Sequence, residues 1–149
     1  MNFDASNPIV VLCARGMEME GAGKPEEALS TFQKAWEQAE RPWEKSIAAH
    51  YVARHQNNLA ESLRWNKTAL DFGLEAQPDE MSALLPSLYL NIGKNFEDMN
   101  DINNALENYL LADSISYNLP EDGYGRMIRA GITTALARIK HTGNSNKLY

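Results

Sequence analysis

Apolar residues recur every three or four positions along most of the chain. They never alternate with polar ones over a strand-length run, so the pattern predicts helices throughout and an all-α protein. Seven helices follow from periodicity and punctuation. The first covers about 7–21, with Leu12, Gly16 and Met19 inward, and GAGKP breaks it. Pro25 suits the first position of the second helix, whose stripe is Ala28, Leu29, Phe32, Ala35, Trp36 and Ala39. Arg41-Pro42 ends it, because a residue before proline is pushed out of the α region. The third helix spans about 43–55 and the fourth about 59–72. Asn58 is the cap of the fourth, Glu61 its capping-box partner and Gly73 its stop. After a link containing Pro78, the fifth runs to Asp98 with Pro86 near its start or at a kink. The sixth covers 101–117. The seventh covers 123–140 and carries Ile128, Ile132, Ala135 and Ile139 on one face, ahead of a polar, fraying tail over 141–149.

These helices pair by self-similarity. EEALSTFQKAW (Glu26–Trp36) matches AESLRWNKTAL (Ala60–Leu70) at an offset of 34. The next offset is 43, from Ser62 to Ala105, which puts about nine extra residues into the second repeat's outer helix and the Pro78 turn. Leu88–Asp113, LYLNIGKNFEDMNDINNALENYLLAD, is the most regular stretch. Tyr89, Ile92, Gly93 and Phe96 face Ala105, Tyr109 and Ala112, so each small residue lies where two helices approach and an aromatic fills the wedge.

On these residues the chain resembles the tetratricopeptide repeat family over about 8–140. It is also similar to small bacterial single-domain proteins of that family, in which a segment like AAHYVARHQ precedes one like LRWN. The resemblance implies a right-handed α-α superhelix of about three helix pairs, each pair's first helix lining a concave groove. Its repeats would be about 9–42, 43–85 and 86–119 within one domain ending near 140, and the helix over 123–140, lacking a partner, would be the polar cap. Such a protein holds partners rather than making bonds.

Composition narrows the alternatives. A net charge of −6 argues against nonspecific binding to nucleic acid or to an anionic membrane. The start of the chain lacks a basic region followed by a long apolar run, so no signal peptide is expected. The single cysteine, Cys13, suits a reducing, cytoplasmic setting. Charge is unevenly placed. Arg41, Lys45, Arg54, Arg64 and Lys67 face only Glu44 and Glu61 over 41–67. Over 95–122, Glu97, Asp98, Asp101, Glu107, Asp113, Glu121 and Asp122 stand with no Lys or Arg.

Enzyme chemistry lacks its parts. His50 and His55 in HYVARH do not make the HExxH zinc helix, GAGKP lacks the strand and GK[ST] ending of a phosphate loop, and no strand–glycine loop–helix unit exists for a nucleotide. No catalytic residue, metal or cofactor is therefore expected. Two constellations remain. On the groove side fall Tyr51, Arg54 and His55 from the third helix, with Glu44 and Ile47. Leu90, Asn91 and Lys94 come from the fifth, flanked by Val10, Cys13, Met17, Glu20, Ser87 and Glu97, with Arg126 and Arg129 at the far end. An aromatic ring, cations, an amide and acidic rims suit an extended peptide. The family's carboxylate clamp is not matched, since Cys13, Met17 and Ala48 stand where clamp residues belong and only Asn91 fits. The second constellation is polar. Leu12, Gly16, Ala28 and Phe32 of the first repeat become Ser46, His50, Ser62 and Asn66 in the second, either an internal network or a pocket for a small ligand. The expected function is a non-catalytic adaptor binding a protein or peptide segment. Alternatives are a homodimeric assembly protein using Ile9, Val10, Leu12, Trp36 and Trp43, or a sensor of a small ligand in the second repeat.

Overall fold

The computed structural model describes residues 3–146. The described residues are all-helical: α1 (Pro8–Gly21), α2 (Pro25–Gln38), α3 (Pro42–Ala53), α4 (Leu59–Glu75), α5 (Pro78–Met81), α6 (Leu85–Asp98), α7 (Ile102–Ser114) and α8 (Gly123–Asn146), with a 3₁₀ turn at Ser116–Asn118 and no strand. The chain divides into two compact units, Met1–Met81 and Ser82–Tyr149.

Prolines stand at the first or second position of five of the helices, where the missing N–H costs nothing. Asn7 caps α1 by accepting from Ile9 N and Val10 N, and Asn58 caps α4 by accepting from Glu61 N at 2.8 Å. The Glu61 carboxylate takes Arg64 one turn on at 2.6 Å.

In the first unit α3 is the central helix, packing against α1, α2 and α4. It is buried on most sides, with Lys45, His50 and Tyr51 only partly covered between Trp43 and Ala53. Phe3 stacks on Trp43 with ring centroids 4.7 Å apart, which closes the start of α3. Trp36 lies edge-on to Trp65 and Phe72, with the Lys45 ammonium 4.6 Å above its ring. Both Trp36 and Trp43 are thus packed inside this unit, and Ile9 is buried. They do not form the exposed apolar patch that the sequence suggested. In the second unit α6 packs on α7 and α8, and α7 on α8. Tyr109, Ala105, Ala135 and Ile139 form one core cluster and Ala112, Leu119, Ile128 and Ile132 another.

The hairpins α1–α2 and α6–α7 repeat one another at an offset of 77 residues, the sum of the offsets 34 and 43 in the sequence. A Cβ on Gly16 would collide with the Phe32 ring, and one on Gly93 would meet the Tyr109 ring at 2.5 Å. The helices therefore approach to ring thickness in both. The turns match bond for bond. Ala22 N, Gly23 N and Lys24 N donate to Glu18 O, Glu20 O and Met19 O. Met99 N, Asn100 N and Asp101 N donate to Asn95 O, Glu97 O and Phe96 O. Gly23 and Asn100 supply the left-handed residue, with φ of 74° and 63°.

Three boundaries differ from the sequence expectation. α4 runs through Gly73, which is buried within the helix, to Glu75, and Ala76 rather than the glycine stands at the cap. α7 ends at Ser114, and a 3₁₀ turn replaces its expected last residues. α8 continues past Lys140 to Asn146, so most of the expected tail is helical, and 147–149 lie outside the described residues.

Candidate functional site

Each unit carries a cluster of the expected residues. In the first, Glu20 at the end of α1 reaches the turn just past α3: its Oε2 lies 2.7 Å from His55 Nε2 and 3.3 Å from Arg54 Nε. The His55 ring stacks on Phe32 at 5.8 Å, Phe32 on Tyr51 at 5.0 Å, and the Arg54 guanidinium lies 5.7 Å from the Tyr51 ring. Tyr51, Arg54 and His55 thus form one assembly, with Glu20 between the imidazole and the guanidinium. Ile47 and Glu44, expected on the same side, are buried. Burial pushes the Glu44 carboxyl up, but the N–H groups of Arg41 and Glu40, the Asn7 amide and the Arg41 charge more than offset it and leave the group below the ordinary carboxylate range. Glu44 therefore locks the start of α3. Cys13 is also buried, and burial pushes its thiol up to about 12, far from a reactive thiolate.

The polar set of the second repeat divides. Ser46 is fully buried and donates to the Ala69 carbonyl at 2.7 Å; Ser62 donates to the Ala53 carbonyl at 3.2 Å. Asn66 is buried. His50 is partly buried and edge-on to Tyr51, and burial, followed by the nearby Arg54 charge, presses its imidazole down to about 4. Two of the four therefore bond backbone carbonyls across the α3–α4 pair.

In the second unit an open cleft of about 410 Å³ lies between α6 and α8. Leu90, Asn91 and Lys94 line one wall. Gly131, Thr134, Ala135 and Arg138 line the other with Ala130, and Tyr109 contributes from α7. Lys94 pairs with Asp98 one turn on, at 2.6 Å. Arg138 grips Glu97 with both arms, Nε to Oε2 at 2.7 Å and an Nη to Oε1 at 2.8 Å, while the Tyr109 hydroxyl donates to the same Oε1 at 2.7 Å. The Arg138 hydrogen bonds hold the Glu97 carboxyl down to about 2 against its burial, helped by Tyr109 and by the charges of Arg138 and Lys94. Burial, then the Glu97 hydrogen bond, raise the Tyr109 phenol. Neither Asp98 nor Glu97 lines the cleft, whose walls carry two cations and no carboxylate.

Arg126 and Arg129 do not line this cleft. Arg126 is exposed. Arg129 donates to the Leu119 and Pro120 carbonyls and pairs with Glu121, closing the turn before α8. The sequence reading missed Thr134 and Arg138 because it treated α8 only as a cap. The signal was present in the i, i+3, i+4, i+7 spacing of Gly131, Thr134, Ala135 and Arg138. Among the described residues no group of three or more His, Cys, Asp and Glu is placed to hold a metal ion, and no helix is long and apolar enough to cross a membrane.

No family model matches the chain, and no match emerges among curated proteins or solved structures.

Proposed function

We propose that the chain is a non-catalytic binding module of the tetratricopeptide kind, with α1–α2, α3–α4 and α6–α7 as its helix pairs and α8 as its cap. The right-handed superhelix, a bacterial origin and a cytoplasmic location belong to the same reading. The repetition of one hairpin at 77 residues, ring against glycine and turn bond for turn bond, supports the repeat assignment. The α6–α8 cleft carries the functional part. It is open, has an apolar lining, and bears hydrogen-bond donors on two facing helices. An extended protein segment suits it, with an apolar residue against Leu90, Ala130 and Ala135 and carbonyl or carboxylate oxygens on Asn91, Lys94, Thr134 and Arg138. The Tyr51–Arg54–His55 assembly offers the first unit's own contact surface.

Thr134 is exposed, so Thr134→Trp fills the cleft without disturbing the core. Peptides selected from a displayed random library on the wild-type protein are expected to lose at least tenfold in affinity for Thr134→Trp, with the melting temperature unchanged. Equal binding by the two proteins rejects the cleft as the seat.

A further inference from the structure

The outer face of α7 departs from its sister helices. Leu110 and Leu111 stand where α2 has the exposed Gln33 and Lys34, 77 residues earlier, and where α4 has Lys67 and Thr68, 43 residues earlier. Leu110 is 51% exposed and Leu111 41%; Leu106, one turn before Leu110, is 38% exposed. A single exposed leucine carries no information. Here, however, two positions that are polar on both sister helices have become leucines on this one, in a hairpin that otherwise keeps the common pattern. Glu107 and Asp113 lie three residues on either side of Leu110, hence beside it on the helix surface. Both are exposed, and neither forms an ion pair with a described residue.

We infer that the Leu106–Leu110–Leu111 face of α7 is a docking surface for an amphipathic segment of another protein whose apolar residues are flanked by Lys or Arg. The leucines supply the apolar contact, and Glu107 and Asp113 select the charge. Glu97, Asp98 and Glu121 of the same acidic stretch are already paired with Arg138, Lys94 and Arg129, so the charge preference rests on Glu107 and Asp113. A second copy of this chain is the poorer occupant, because the same face on a partner brings the same two carboxylates and no cation. This surface lies apart from the α6–α8 cleft, none of whose lining residues it uses.

A 14-residue helical peptide of leucine, alanine and lysine, with the leucines on one face, tests the inference against an otherwise identical peptide with glutamate for lysine. Binding is followed by anisotropy of a dye on the peptide. The lysine peptide is expected to bind wild type and the glutamate peptide not. Leu110→Gln/Leu111→Thr, which installs residues of the sister helices and keeps the net charge, is expected to weaken binding at least tenfold, and so is Glu107→Gln/Asp113→Asn. All four positions are exposed, so melting temperatures stay within a few degrees and folding is not the readout. Thr134→Trp is expected to leave this binding unchanged. Absent binding of the lysine peptide, equal binding by either double variant, or a wild-type dimer that Leu110→Gln/Leu111→Thr converts to monomer overturns the inference.

Discussion

A hydrogen in place of a methyl group decides how α6 meets α7. The Tyr109 ring lies against Gly93, and its hydroxyl is anchored on Glu97 at 2.7 Å, which resists its sliding away. Alanine is the better helix former by about 1 kcal/mol. Even so, Gly93→Ala is expected to lower the unfolding free energy by about 1–3 kcal/mol, the usual cost of overpacking. Urea denaturation measures it; an unchanged or raised midpoint would mean that the ring has room to move. The first hairpin uses Gly16 and Phe32 in the same way. At the equivalent positions the second repeat exchanges the sides: His50 brings the ring from the first helix and Asn66 the smaller group from the second. That exchange was legible from the repeat alignment alone. The backbone partners of Ser46 and Ser62 were not, because a hydroxyl's choice of carbonyl depends on how the helices settle against each other, which periodicity does not encode.

At the scale of elements, turn chemistry explains both what the sequence revealed and what it concealed. Proline starts and the GAGKP break were readable because they act locally. Gly73 misled because it lies buried inside α4, two residues before the helix ends, and a glycine in a sequence does not say whether it stops a helix or sits within one. The paired turns make a specific expectation. Asn100 holds φ at 63°, where Gly23 holds 74° in the sister turn. Left-handed backbone costs an ordinary L-residue about 1–2 kcal/mol, and glycine avoids that cost. Asn100→Gly is therefore expected to leave stability unchanged or raise it by up to about 1 kcal/mol, whereas Asn100→Val should lower it by about 1–2 kcal/mol. Thermal melts of the two variants give the comparison, and equal melting temperatures would remove the turn argument.

On the scale of the whole molecule, the break between the two units at Met81 and Ser82 falls just after α5, a few residues past the link that contains Pro78. The single-domain expectation came from the run of repeats, a pattern that does not say where contacts within the chain cluster. Much of the charge asymmetry resolves into local partners: Glu97 with Arg138, Asp98 with Lys94, Glu121 with Arg129, and Arg64 with Glu61. Each unit has its own acid sensitivity. His50 prefers to be neutral in the fold, near 4 against 6.5 when free, so the unfolded chain binds the proton more readily. Stability is then full above about pH 6.5 and falls as pH drops toward 4, by roughly 3 kcal/mol in all. Glu97 prefers to be charged, near 2 against 4.5, so its contribution is present above 4.5 and is lost toward 2. Melting temperatures taken across pH should fall in both intervals. His50→Gln should flatten the upper one and Glu97→Gln the lower. A wild-type profile level from pH 7 to 4.5 contradicts the His50 assignment.

The tryptophans of the first unit have a spectroscopic consequence. Trp36, Trp43 and Trp65 all precede Met81, while Tyr89, Tyr109, Tyr117 and Tyr124 follow it. Indole emission excited at the red edge, where phenol does not absorb, therefore reports the first half of the chain alone. The native protein is its own half-labelled sample: a red shift in that emission dates the opening of the first unit, and any later loss of helical ellipticity belongs to the second.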